Sequence, residues 1–67
     1  MRIAKWSTGD ELNGSTRFDL VYRPSGDYYL IFEASPIALD FYEPVGRYNT
    51  LREAITGFGR CVARVTQ

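Results

Sequence analysis

Residues Tyr28–Ala34, reading Tyr-Tyr-Leu-Ile-Phe-Glu-Ala, are apolar at both parities. In a β-strand successive side chains point to opposite faces, so Tyr28, Leu30 and Phe32 line one side and Tyr29 and Ile31 the other, with Glu33 the one charge in the run. A strand of this kind has no face that prefers water and belongs in the middle of a sheet. Both sides of that sheet then need cover. The whole chain has 67 residues, so the fold is decided by how much cover so few residues can supply.

The segments around it read as its neighbours. Residues 16–23 alternate, with Phe18, Leu20 and Tyr22 on one face and Arg17, Asp19, Val21 and Arg23 on the other, the pattern of a half-buried strand. Pro24-Ser25-Gly26-Asp27 supplies a fixed φ, a glycine free to take φ > 0 and an Asp that bonds its own backbone, which predicts a tight turn and antiparallel pairing with residues 28–34. After Ser35-Pro36, residues 37–42 alternate again, Ile37, Leu39 and Phe41 opposite Ala38, Asp40 and Tyr42, and predict a further long strand. Glu43-Pro44-Val45-Gly46 is expected to end it, because proline has no N–H for the ladder. Residues 2–7 fit a short first strand. Residues 7–15 are dense in turn formers, and Asn13-Gly14 within them leaves open a long loop or a hairpin closing onto residue 16.

The clearest local signal is a helix start. Thr50-Leu51-Arg52-Glu53 fits a capping box, in which the Thr50 hydroxyl accepts from the Glu53 N–H and the Glu53 carboxylate returns to the Thr50 N–H. Leu51, Ile55, Phe58, Val62 and Val65 then recur at helical spacing, with Ala54 and Cys61 beside them, predicting one helix over 50–65. Gly57 and Gly59 each cost about 1 kcal/mol inside a helix and open a second possibility, a helix ending near Phe58 and a last strand over 60–66. The five-position stripe favours the single helix.

These elements give a single α+β domain over residues 1–67: an antiparallel meander of three or four strands packed in two layers on one C-terminal helix. One helix covers one face. The expected covered face is Phe18, Leu20, Tyr22, Tyr28, Leu30, Phe32, Ile37, Leu39 and Phe41, which leaves Val21, Tyr29, Ile31, Ala38 and Tyr42 on the other. Trp6 and the long loop folding beneath that face, or the stems of Arg17 and Arg23 lying over it, would be the plain solution. Otherwise the apolar patch is an interaction site.

Composition narrows what that site can do. A domain this small buries only about 60% of the surface its unfolded chain exposes and commonly gains from a staple or a partner. With no His and Cys61 as its one cysteine, the chain has no intrachain disulfide and no common zinc site. No cofactor or metal is expected. Cys61 has no imidazole to activate it, and Gly57-x-Gly59 lies late in a helix rather than at the helix start that a phosphate loop needs, so no catalytic residue is identified and the chain does not read as an enzyme. There is no signal-peptide core or membrane-length apolar run, and a cytoplasmic location is the expectation. Eight basic residues balance eight acidic ones.

The remaining aid is a partner. Val21, Tyr29, Ile31 and Tyr42 are the expected apolar contacts, rimmed by Arg17, Arg23, Asp19, Glu33 and Asp40, and they suit a protein partner or a homodimer formed sheet to sheet. The three carboxylates also have the chemistry of a phosphate mimic, a cation site or an acid–base pair, but Arg17 and Arg23 on the same face make cross-strand ion pairs the simpler reading. Single-stranded nucleic acid is the alternative occupant, with Tyr29 and Tyr42 stacking on bases and Arg17, Arg23 and Arg47 meeting phosphates; the matched charges weigh against it.

Residues 46–55, Gly-Arg-Tyr-Asn-Thr-Leu-Arg-Glu-Ala-Ile, form a turn feeding a capped helix after a meander. That ending resembles those of very small accessory proteins of bacteriophages and prophages, among them host-takeover and anti-CRISPR proteins. The resemblance implies a non-catalytic inhibitor that binds and blocks a host protein complex. It assigns no site residue.

Overall fold

The computed structural model describes residues 1–7, 16–34 and 42–66. Within them the chain forms β1 (Arg2–Ser7), β2 (Arg17–Arg23), β3 (Tyr28–Ala34), β4 (Tyr42–Tyr48) and α1 (Leu51–Thr66). The strands make one antiparallel sheet in the order β1-β2-β3-β4, and α1 packs across β2, β3 and β4. This is the expected two-layer α+β meander with its C-terminal helix. The Asn13-Gly14 hairpin, the alternation over 37–41 and Asp40 lie outside the described residues.

The β2–β3 hairpin sets the chemistry of both faces. Its loop is the four residues 24–27, so Arg23 pairs with Tyr28, Tyr22 with Tyr29, Leu20 with Ile31 and Phe18 with Glu33. Paired residues share a face, and an even-numbered loop puts even positions of β2 beside odd positions of β3. Grouping even positions of β2 with even positions of β3, as alternation alone suggests, requires an odd loop. Tyr29, Ile31 and Glu33 therefore face the helix, and Tyr28, Leu30 and Phe32 face away. Inside the turn the Gly26 N–H donates to the Arg23 carbonyl at 3.3 Å, and Asp27, not Gly26, adopts the left-handed backbone, with φ 52°. Gly26 has its own reason: a Cβ there would run into the Tyr28 ring.

β4 corrects a second expectation. It runs through Glu43, Pro44 and Gly46 rather than ending at them, pairing Phe32 with Pro44 and Ile31 with Gly46 so that Val45 is the extra residue of an irregularity. Edge strands and bulges are the places where proline is tolerated in a sheet, and β4 is both.

The helix is unbroken through both glycines, so residues 60–66 are helix and not strand. Its start is a capping box with one partner changed. The Glu53 N–H donates to Thr50 Oγ1 at 3.2 Å, and the Thr50 hydroxyl itself donates to the Glu53 carboxylate at 2.9 Å. α1 is also rotated from the expected stripe. Ala54 and Gly57 are buried and Phe58, Cys61 and Val62 half-buried, while Leu51, Ile55 and Val65 are exposed. Small side chains let the helix lie close: a methyl on Gly57 would overlap the Tyr48 ring, so glycine is what allows α1 and β4 to touch.

The core between the layers is Phe18, Leu20, Ile31 and Ala54, with Ala4, Trp6, Tyr29, Tyr48, Phe58, Cys61 and Val62 packed around it. Trp6 stacks on Phe18, centroids 6.2 Å apart, on the helix side, and so does not fold beneath the opposite face. Cys61 lies against this core, and burial pushes its thiol above its ordinary range, with Arg64 opposing and Glu33 adding to the effect.

Candidate functional site

The face turned away from α1 is left with no helix or strand over it among the described residues. Following the register, β2 contributes Arg17, Asp19, Val21 and Arg23, β3 contributes Tyr28, Leu30 and Phe32, β4 contributes Tyr42, Pro44 and Arg47, and β1 adds Lys5 opposite Asp19. Of the residues expected here, Arg17, Asp19, Val21, Arg23 and Tyr42 are brought together. Tyr29 and Glu33 are on the helix side, Ile31 is a fully buried core residue at 0% exposure, and Asp40 is outside the described residues. Tyr28, Leu30 and Phe32 take the vacated places. The signal that finds them is the number of residues in the turn, since the apolar pattern of β3 suits either face.

Three rings on this face each carry a guanidinium. Arg47 sits 4.2 Å over the centroid of Tyr28, Arg23 5.9 Å over Phe32 and Arg17 5.8 Å over Tyr42. Phe32 and Tyr42 stack nearly parallel, 4.7 Å apart at 4°. Cation–π contacts at exposed sites are worth about 0.5–1 kcal/mol each, enough to align the arginines and little enough to release them to a stronger anion.

Asp19 anchors one end of the array and is 3% exposed. Its Oδ2 accepts the Tyr42 hydroxyl at 3.2 Å and lies 3.4 Å from the Arg17 guanidinium. Its Oδ1 and Arg17 Nε are buried without a hydrogen-bond partner. Burial, the bond to Asp19 and that carboxylate's charge raise the Tyr42 pKa above the ordinary phenol value, with Arg17 and Arg2 pulling the other way. Tyr42 therefore stays a neutral donor at physiological pH.

The charges are unevenly divided between the layers. Lys5, Arg17, Arg23 and Arg47 belong to the open side, where Asp19 is the one carboxylate the described strands supply, while Glu33 and Glu43 pair opposite each other on the helix side. Of the rim of arginines and carboxylates expected from sequence, Arg17, Arg23 and Asp19 share the open side, Glu33 lies on the helix side, and Asp40 is outside the described residues. Elsewhere, Tyr48, Arg52, Glu53, Thr56, Gly57 and Arg60 line a shallow depression on α1. No group of three or more potential metal-binding side chains occurs among the described residues, and none of their helices is long and apolar enough to cross a membrane.

No family model, curated protein or solved structure matches this chain.

Proposed function

We propose that the open face binds single-stranded nucleic acid, with bases stacking on Tyr28 and on the Phe32–Tyr42 pair while Arg17, Arg23 and Arg47 turn to phosphates. The observation that carries this reading is the composition of the face: three ring–guanidinium pairs on a sheet face with no helix or strand over it among the described residues, whose one described carboxylate is buried. Base stacking on aromatics is worth about 1–3 kcal/mol per base and tolerates any sequence. Tyr28 and Phe32 are four residues apart on one strand, about 13 Å, which suits a chain of nucleotides running along β3. The zero net charge of the protein weighs less because Lys5, Arg17, Arg23 and Arg47 gather on this face, where the described strands supply Asp19 alone as a carboxylate.

The test is fluorescence anisotropy with labelled oligo-dT and a mixed single-stranded RNA. Three phosphate contacts predict a log–log salt slope near −2, hence roughly 15-fold weaker binding at 200 mM than at 50 mM salt. Phe32→Ala and Arg47→Ala each weaken binding while the far-ultraviolet circular dichroism is unchanged. No anisotropy change with either probe at low salt overturns the reading.

A protein partner is the second reading, favoured by Val21 and Leu30, half-buried apolar side chains among the arginines that base stacking does not need. In that version the protein is a non-catalytic module that blocks a host complex, as its phage-like ending implies. Its distinguishing result is a specific partner whose binding depends on Val21 and Leu30 and varies little with salt.

A further inference from the structure

Arg17 and Tyr42 both pair with Ala34, one from each side, so the open face between them carries only a methyl group. Their backbones stand two strand spacings apart, about 10 Å, and the Arg17 guanidinium crosses that gap to lie 5.8 Å over the Tyr42 ring. Asp19, two residues along β2 on the same face, takes the Tyr42 hydroxyl at Oδ2 and has the guanidinium 3.4 Å from the same oxygen. The result is a slot with an aromatic wall, a carboxylate at its edge and a planar cation inside it.

The fit of that cation is incomplete. Arg17 Nε and Asp19 Oδ1 are buried without a hydrogen-bond partner among the described residues, although a carboxylate offers about four acceptor positions. Buried polar groups left unpaired are costly, so a ligand that supplies their partners is favoured. The Asp19 side chain is 4% exposed and that of Arg17 39%, which makes the arginine the member of the pair free to leave.

We infer that this slot is a guanine subsite, and that Arg17 occupies it in the free protein as a stand-in for the base. The inference rests on the open face binding single strands. A guanidinium is planar, stacks on rings and points a fork of N–H donors at a carboxylate. Guanine carries the same fork on its Watson–Crick edge, N1–H beside the N2 amino group, on a larger plane. It is the one common base with two adjacent donors there. Adenine and cytosine set an acceptor nitrogen beside their amino group, and thymine and uracil flank their N–H with carbonyls, so each would turn an acceptor towards the Asp19 charge. When Arg17 swings out to a phosphate, guanine stacks on Tyr42 and donates from N1 and N2 to Oδ1 and Oδ2, while Oδ2 keeps the Tyr42 hydroxyl. Both orphaned atoms then gain partners, Oδ1 from the base and Arg17 Nε from the phosphate.

Fluorescence anisotropy at low salt tests it, comparing oligo-dT with the same strand carrying one central dG, dA, dC or deoxyinosine. The dG strand binds about tenfold tighter than the dA strand, within the range of a bidentate base contact. Deoxyinosine, which keeps N1–H and lacks the N2 amino group, falls between them. Asp19→Asn replaces one acceptor of the fork by a donor and levels the dG and dA strands while both still bind. Arg17→Ala weakens oligo-dT through the lost phosphate contact and leaves the dG preference at least as large. Equal affinity for the dG and dA strands, or a dG preference unchanged in Asp19→Asn, overturns the guanine subsite and leaves the single-strand reading standing. So does deoxyinosine binding as tightly as dG, a comparison that needs no variant. No binding of any strand overturns both.

Discussion

The two faces of the sheet are built from neighbouring residues of the same strands and end up with opposite characters. On the helix side Phe18, Leu20 and Ile31 are sealed from water, and the contact tolerates so little extra volume that a methyl on Gly57 has no room. On the open side Tyr28 and Phe32 are half-buried and Tyr42 is exposed, each ring is capped by an arginine, and among the described residues Asp19 is the one side chain fully withdrawn. The first face is held by volume and the second by charge and ring geometry. A core of close-packed side chains resists change, whereas ring–guanidinium pairs exchange partners at small cost. The close-packed core and the ring–guanidinium array therefore reside in different side chains, and the two can be perturbed separately.

The sharpest way to break that contrast is to truncate adjacent residues of β3. Ile31→Ala is expected to cost ~2–5 kcal/mol in urea unfolding, and Leu30→Ala on the open face less than ~1.5 kcal/mol. Equal losses would mean the open face is packed as well. Next in size is Gly57→Ala, expected to cost ~1–3 kcal/mol because the Tyr48 ring must move, although the substitution favours helix. A rise in melting temperature would show that α1 and β4 do not need their close contact. Thr50→Ala removes both hydroxyl bonds at the helix start and is expected to cost about 1 kcal/mol, read from the same unfolding curves.

The smallest effect is one of pH and belongs to the open face. Because the Tyr42 pKa is raised in the folded protein, the native state holds the phenolic proton more tightly than the unfolded chain does. Above the unfolded value near 10 the native state binds more protons, so stability falls as pH rises through the alkaline range. Urea midpoints between pH 9 and 11 should decline, and Tyr42→Phe should flatten the part of that decline due to Tyr42. An unchanged slope would detach Tyr42 from Asp19.

The order of elements was legible in the sequence because alternation and turn residues are local signals. β1, β2, β3 and the single helix followed from them. What was not legible followed from ties. β3 is apolar on both sides, so its pattern accepts either orientation, and the length of the turn decides between them. Pro44 and Gly46 read as an ending because the edge position and bulge that accommodate them are properties of the assembled sheet. The helix orientation was hidden for a different reason: Leu51, Ile55 and Val65 are the more hydrophobic residues, but Ala54 and Gly57 are the smaller ones, and the helix approaches β4 by its small side. Of the candidate site, alternation alone places Arg17, Asp19, Val21, Arg23 and Tyr42 on the open face, while the exchange of Tyr29 and Ile31 for Tyr28, Leu30 and Phe32 comes with the register.

The four-residue turn between β2 and β3 bears on how this protein can diverge. Substitutions at positions 24–27 that keep the count leave the core and the open face with their present memberships. Losing or gaining one codon there, if the strands stayed in step with the turn, would send Leu30 and Phe32 to the helix and bring Tyr29 and Ile31 out. The new interior would still be apolar, but Arg23 and Arg17 would lose Phe32 and its stack on Tyr42. An indel at this point would thus exchange the memberships of both faces of β3 in one step.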